Sequence, residues 1–385
     1  MMHNKESISR QFQALTTYAP ALLLRAPGRI NIIGEHTDYN QGLVLPGAID
    51  RALYFAVRPN GTQQLRFWAL DIEESAVVDL VEVKSGKSLW INYLLGIADQ
   101  FSQRGHELIG LDVVFGGNLP VGAGVSSSAA LECGMAMSWN LLLEAGYSGP
   151  ELAQLAKQSS HEFVGIPCGI MDQFASLNGV KDHAIMLDCR DLSYRKVPVA
   201  IEGCEWVLLN SKVSHNLAES AYIKRVEECA QGVAVLQQHF PEIKSLRDAT
   251  PPQVEQLKEE FPGKVYQRCR YIVGEHYRTL AMIDALAAGD AKKAGQLLNL
   301  TQLGLAMDYE VSCPEIDFLF TQAFRHPGVY GARIMGGGFG GCTLNLVRKD
   351  VREAFVSDAL AAYEAEFGKQ GEELVVHLVD GVGQV

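Results

Sequence analysis

At 385 residues, 48% of them hydrophobic, the chain is long enough for two domains, each with a filled core. Its formal charge of −12 argues against nucleic acid or an anionic membrane surface as the main partner, and a nucleotide bound to so acidic a protein calls for a metal ion. Eight scattered cysteines with no C-x-x-C pair read as reduced thiols, and no apolar run is long enough to span a bilayer.

The opening residues, MMHNKESISRQF, are polar and mixed in charge, unlike a signal or transit peptide, so a cytoplasmic protein is expected. Residues 1–18 carry Ile8, Phe12 and Leu15 at helical spacing. From 21 to 83 the pattern is mostly β, with strands expected at 22–25, 30–33, 43–45, 53–57, 65–70 and 77–83. A helix over 90–103 and a strand over 111–115 follow. Then comes Pro120-Val-Gly-Ala-Gly-Val-Ser-Ser-Ser-Ala-Ala130, leading into a helical pattern through Leu131, Met135 and Trp139. Helices are expected at 150–164 and 170–178 and strands at 184–188 and 205–210. Near residue 200 the texture changes to long helical patterns at 217–239, 265–288 and 291–304. The tail reads as a helix at 315–325, strands at 331–335 and 342–347 around a glycine cluster, a helix at 351–367 and a strand at 374–379. Segregated β and α stretches indicate an α+β fold, divided at about 1–200 and 201–385.

Four stretches carry chemistry. In the strand–loop–helix unit, Gly122 and Gly124 allow backbone N–H groups to approach a ligand, and Ser126, Ser127 and Ser128 stand where a helix N-terminus favours an anion. No Lys follows, so this is not a Walker loop, and a bound triphosphate would need Mg²⁺ held partly by a serine hydroxyl. A simple capped helix would need only one serine. The second stretch, Arg25 to Tyr39, presents Arg29, Glu35, His36 and Asp38 close together. That set suits a polyhydroxylated ligand, although a hydrated turn fits the spacing equally. In the third, Cys168-Gly-Ile-Met-Asp-Gln173, Asp172 lies among apolar neighbours near a helix start, where a lone Asp most often just favours the dipole. The fourth, Gly336-Gly-Gly-Phe-Gly-Gly341, has five glycines in six residues, too many for an ordinary hairpin. Close approach to a ligand or to another loop would account for them.

In this order and spacing, GRINIIGEHTDYNQGLVLP, PVGAGVSSSA, CGIMDQ and MGGGFGGC resemble the signature regions of the GHMP small-molecule kinases, and GEHTDY resembles the galactokinase branch. The resemblance implies a two-domain fold: a ribosomal protein S5 domain 2-like N-terminal domain and a ferredoxin-like C-terminal domain with extra helices. It implies phosphorylation of the anomeric hydroxyl of α-D-galactose by ATP with Mg²⁺, in a monomer. By position it makes Asp172 and Arg29 catalytic. Glu35, His36, Thr37, Asp38, Gly169, Asp172 and Tyr222 become sugar-binding. Gly122, Ala123, Gly124, Val125, Ser126, Ser127 and Ser128 form the phosphate loop, Ser128 sits on Mg²⁺, and Trp90 and Tyr93 flank adenine. A carboxylate of ordinary pKa, roughly 4, is a weak base toward an alcohol, so Asp172 is expected to orient more than to deprotonate.

The sequence also departs from that family. Ser160 stands where it carries a metal-binding Glu, and Glu162 points about 200° away on a helix. Val125 replaces a Leu, Ser220-Ala221-Tyr222 replaces Ser-Glu-Tyr, and Leu300-Thr301-Gln302 replaces Glu-Ser-His. Two other functions therefore stay open: a related sugar-1-kinase acting on N-acetylgalactosamine, galacturonate or arabinose, and a non-catalytic galactose and ATP sensor.

Overall fold

The computed structural model describes residues 3–120, 122–214 and 218–385, with backbone alone at 214 and 218–220. The helix α1, Lys5–Thr16, starts at a reciprocal cap between Asn4 and Ser7 and buries Ile8 and Phe12. The strands β1 (Leu22–Asn31), β2 (Leu43–Val44), β3 (Pro46–Pro59), β4 (Gln64–Ala69) and β5 (Glu74–Asp79) follow. Next come α2 (Leu89–Gln103), β6 (Leu111–Gly117), α3 (Ser127–Leu142), α4 (Gly149–Ser159), α5 (Met171–Asn178), β7 (His183–Asp188) and β8 (Tyr194–Pro198). The expected boundary near residue 200 falls between β8 and β9 (Cys204–Ser214). Beyond it lie α6 (Ala218–His239), α7 (Pro251–Gln256), α8 (Val265–Ala287), α9 (Ala291–Leu303), α10 (Pro314–Arg325), β10 (Val329–Ile334), β11 (Gly340–Arg348), α11 (Arg352–Phe367), β12 (Glu372–Val375) and β13 (Gly383–Gln384).

A six-stranded sheet runs β13-β1-β3-β6-β4-β5, a four-stranded one β10-β11-β9-β12, and a small one β2-β7-β8. Among the described residues only β4 and β6 pair in parallel, which agrees with an α+β fold rather than repeated βαβ units. The helices α2 to α5 cover one face of the large sheet around Phe55, Phe101, Trp139 and Phe174, all fully buried. All eight cysteines are free thiols.

Several elements differ from expectation. The two strands expected over 22–33 are one, because the chain passes Pro27 through a register shift and resumes pairing at Arg29. Arg29 therefore projects from a sheet rather than from a loop. The helix expected to continue through 164 changes to a π-helical turn at Ser160–Val164, a local widening frequent at functional sites. The strand expected at 374–379 is Glu372–Val375, because residues 377–379 leave the four-stranded sheet to bond Asp50 and Ala48. Position 217, the expected start of a helix, lies outside the described residues.

The later half is tied to the first by Arg333 of β10, which is fully buried. Its Nε donates to the Ile32 carbonyl at 2.9 Å and its guanidinium to Glu35 Oε1 at 2.9 Å, with a further bond to the Asn31 carbonyl. Removing one member of a buried ion pair leaves the other unpaired and costs about 3–5 kcal/mol. In urea unfolding Arg333→Met should lower the unfolding free energy by that much, with a correspondingly lower midpoint, and adding Glu35→Gln should recover part of the loss.

Candidate active site

Three separated segments meet at one point. The backbone N–H of Arg29 donates to the Val125 carbonyl at 3.1 Å, which joins the end of β1 to the glycine loop. The Arg29 side chain, 3% exposed, donates from Nε to Asp172 Oδ1 at 2.8 Å and from its guanidinium to the Gly124 carbonyl. The Ser126 hydroxyl donates to the other oxygen of Asp172 at 2.5 Å. Asp172 thus receives a donor on each carboxylate oxygen, one from the sheet and one from the start of α3.

The glycine loop itself is shaped for an anion. Its φ is positive at Gly122 (76°), Gly124 (75°) and Ser126 (63°), every second residue, and such alternation aims successive N–H groups to one side. Ser126 flanks α3 without capping it, since its hydroxyl is turned to Asp172, so the first N–H groups of the helix have no side-chain cap. The tail glycines turn out to serve the same loop. A Cβ at Gly336 would lie 3.1 Å from the Gly124 carbonyl, and one at Gly341 would lie 3.1 Å from that of Ala123. Backbone packs on backbone there, and both positions also have positive φ.

Beside this junction is a cavity of about 230 Å³, below the roughly 300 Å³ at which drug-sized sites begin. Glu35, His36, Asp38, Gly169 and Tyr222 all line it, as do Arg29 and Asp172. Burial opposes the charged form of Glu35, but Arg333 and Arg29 outweigh it and hold the carboxyl below its usual range. Burial, then Asp172, pushes Asp38 up to about 6. Burial drives His36 down to about 4, helped by Arg225 and Arg333. His36 adopts a left-handed φ of 64°, contacts the Tyr39 hydroxyl through Nδ1 at 3.0 Å, and leaves its buried Nε2 without a partner. Tyr39 in turn bonds the Tyr309 hydroxyl at 2.6 Å. Gly169 is needed for Asp38 to sit where it does: a Cβ would lie 1.5 Å from Asp38 Oδ2.

Other expected site residues fall elsewhere. Thr37 is fully buried, and its hydroxyl donates to the Gly34 and Leu43 carbonyls, which closes the loop instead of lining the cavity. Tyr93 lines the cavity with Ser128 and Ser160, while Trp90, one turn earlier on α2, does not and bonds Glu74 at 2.6 Å. The side chains of Ala123 and Val125 are buried in the core. Ser127 heads α3 but does not line the cavity. Thr301 bonds Glu275 and Gln302 accepts from Ile334, both away from the cavity. The side chain of Ser220 lies outside the described residues.

Two buried groups behind the floor escaped notice in the sequence. Glu132 of α3 is fully buried and accepts from Ser160 at 2.5 Å and from Gln173 Nε2 at 3.1 Å. Burial pushes its carboxyl up to about 8, against those two hydrogen bonds. The available signal was a lone carboxylate on an otherwise apolar helix face, four residues after Ser128. Arg333 offered a similar one, a charge inside a strand that precedes the glycine cluster.

Comparison with known proteins agrees with this geometry. A family described as the galactokinase galactose-binding signature matches residues 10–59, and the GHMP kinase N-terminal and C-terminal domains match 92–180 and 282–365. The galactokinase of Roseiflexus sp. is 41% identical over 98% of this chain and 96% of its own length. The chain belongs to the galactokinase family. The galactokinase of Chloroflexus aurantiacus is 39% identical over the whole chain and 98% of its own. A crystal structure of Lactococcus lactis galactokinase complexed with galactose superposes with a TM-score of 0.94 at 30% identity, covering 99% of both chains. A mevalonate kinase at 17% identity and TM-score 0.64, covering 94% of this chain and all of its own, shares the fold.

The shifted carboxyl of Asp38 has a consequence for stability. Its folded pKa, about 6, lies above the unfolded value, so its contribution is present at low pH and lost as pH rises through 6. Asp38→Asn should therefore raise the melting temperature of the ligand-free protein above pH 6 and change it little at pH 4. Thermal denaturation across that range checks this. His36 has the opposite sign: its neutral burial costs stability as pH falls from 6.5 toward 4, in both proteins alike.

Proposed function

We propose that this chain transfers the γ-phosphoryl group of ATP to the anomeric hydroxyl of α-D-galactose, giving α-D-galactose 1-phosphate and ADP. The observation that carries the reading is the junction of Arg29, Asp172 and Ser126, which sets an anion-binding loop beside a polar cavity of monosaccharide size. Phosphoryl transfer through a loose transition state asks for positioning and charge neutralisation. The loop N–H groups and the start of α3 hold the phosphates, and Arg29 neutralises charge on the moving group. Asp172, already bonded to Arg29 and Ser126, orients the sugar hydroxyl and takes its proton as the new P–O bond forms. Asp38, Glu35 and the free Nε2 of His36 hold the other hydroxyls, and a neutral imidazole can either donate or accept there.

Mg²⁺ fits the donors present. Ser128, Ser160 and Asp172 bring oxygen atoms to the cavity, and Gln173 Oε1, buried there, has no hydrogen-bond partner. Ser128 and Ser160 would hold the ion, which would supply positive charge to neutralise the nucleotide phosphates. We take the enzyme to be cytoplasmic; its formal charge is −12, and among the described residues no helix is long and apolar enough to cross a membrane. We take it to act as a monomer of two domains divided near residue 200.

Release of ADP with galactose and Mg²⁺ is the direct test. Turnover on galactose at least tenfold above that on N-acetylgalactosamine, galacturonate or arabinose supports the proposal, and binding without turnover would favour a sensor. Asp172→Asn should lower kcat about 10²- to 10⁴-fold while ATP binding is retained. A near-normal kcat would remove Asp172 from the reaction.

A further inference from the structure

The buried Nε2 of His36 has no partner, and whether it donates or accepts at the cavity is decided at the other ring nitrogen. That nitrogen belongs to a chain of hydrogen bonds running between the two halves of the molecule. Nδ1 meets the Tyr39 hydroxyl at 3.0 Å, Tyr39 meets the Tyr309 hydroxyl at 2.6 Å, and Tyr309 meets Cys229 Sγ of α6 at 3.2 Å. Asn40 Nδ2 ends the chain, 3.6 Å from the same sulfur. His36, Asn40, Cys229 and Tyr309 are all buried.

The far end of this chain has a fixed direction. Asn40 Nδ2 also donates to the His36 carbonyl at 2.9 Å, so exchanging the amide's nitrogen and oxygen would set two acceptors against each other. Asn40 is therefore a donor to the sulfur. Burial pushes the Cys229 thiol up to about 11 and raises both phenols well above their ordinary range, so each of the three keeps its hydrogen. In one direction Cys229 donates to Tyr309, Tyr309 to Tyr39 and Tyr39 to Nδ1. Every hydrogen then has a partner, and each bond polarises the next. In the other direction the sulfur, a weak acceptor, takes two hydrogen bonds while its own buried hydrogen has none. The first direction makes Nδ1 an acceptor and leaves the one proton of the neutral ring on Nε2. The Gly337 carbonyl also favours a proton on the ring, although Nε2 forms no hydrogen bond with it.

We propose that Cys229, Tyr309 and Tyr39 are positioning residues that hold His36 as its Nε2–H tautomer, so that the cavity offers a sugar hydroxyl a donor at His36 beside the acceptor carboxylate of Glu35. A hydroxyl that meets both gives its hydrogen to Glu35 and takes one from His36, whereas a carbon without oxygen there leaves buried polar groups unpaired and is rejected. Neither tyrosine lines the cavity, so each acts on the sugar only through His36. Without the Tyr309 hydroxyl, that of Tyr39 is free to turn and accept from Nδ1–H instead. The sugar part of this inference rests on the galactose reading, and the tautomer does not.

The test uses the full chain with ¹⁵N-labelled histidine at neutral pH, the His36 resonances being assigned by their loss in His36→Gln. In the ligand-free parent the ring should show its proton on Nε2, and galactose should shift that signal without moving the proton. Tyr39→Phe and Tyr309→Phe keep both aromatic rings. Each should turn the single tautomer into a mixture and raise KM for galactose about five- to tenfold, the worth of one misdirected hydrogen bond, with kcat changed less than about twofold. A parent ring protonated at Nδ1 overturns the inference. An unchanged tautomer in both variants also overturns it, since a merely structural role would cost stability and leave the ring proton in place. Galactose binding by the parent is measured separately by calorimetry. Binding that leaves the Nε2 signal unmoved overturns the role toward sugar, and a parent with the Nε2–H tautomer that binds no galactose counts against the kinase reading and leaves the hydrogen-bond chain standing.

Discussion

The Arg29 guanidinium bonds Asp172 and the Gly124 carbonyl from one position, and most of the site depends on that fork. A single side chain from β1 fixes the glycine loop against the sheet and sets the orientation of the first turn of α5. The planar geometry of the guanidinium matters, since two donors in a rigid fork fix two partners at once where an ammonium would fix neither in direction. Ser126 completes the arrangement from the third side. Its left-handed backbone is explained by the same contact: the residue gives up its capping role so that its hydroxyl can reach Asp172.

The cavity side is held from the other half of the chain. Arg333 grips Glu35 and the carbonyls ahead of it, Tyr271 donates to the Glu35 carbonyl at 3.1 Å, and Tyr309 reaches His36 through Tyr39. The cavity-lining loop is therefore held from the other half of the chain as well as by the internal bonds of Thr37. The outside contacts come from helices and strands 236 to 298 positions further on, and burial shifts His36 and Asp38 away from their ordinary titration ranges.

Much of this was legible in the sequence. The run from Leu111 to Trp139 announced a strand, a glycine-rich loop and a helix by local chemistry alone, and the structure has those elements in that order. Arg29, Asp172 and the Glu35–Asp38 loop carried weak local signals that became strong together. Local signals could not reveal pairing across distance. Thr37 looked like its neighbours but points into its own turn. Trp90 shares a helix face with Tyr93 yet bonds β5 instead. Arg333 and Glu132 gave only the hint of a charge in apolar surroundings. The break of the helix at Ser160 into a π-helical turn leaves no periodicity mark, because the side-chain types on either side continue to suit an α-helix.

The contact between the two glycine-rich loops links positions more than two hundred residues apart without a side chain between them. Such a seam has no slack to absorb change. A methyl group added at Gly336 or Gly341 would be felt at Gly124 or Ala123 as a displaced peptide plane. Variation in the two loops must accordingly be correlated, and a tail substitution can masquerade as a defect in phosphate binding.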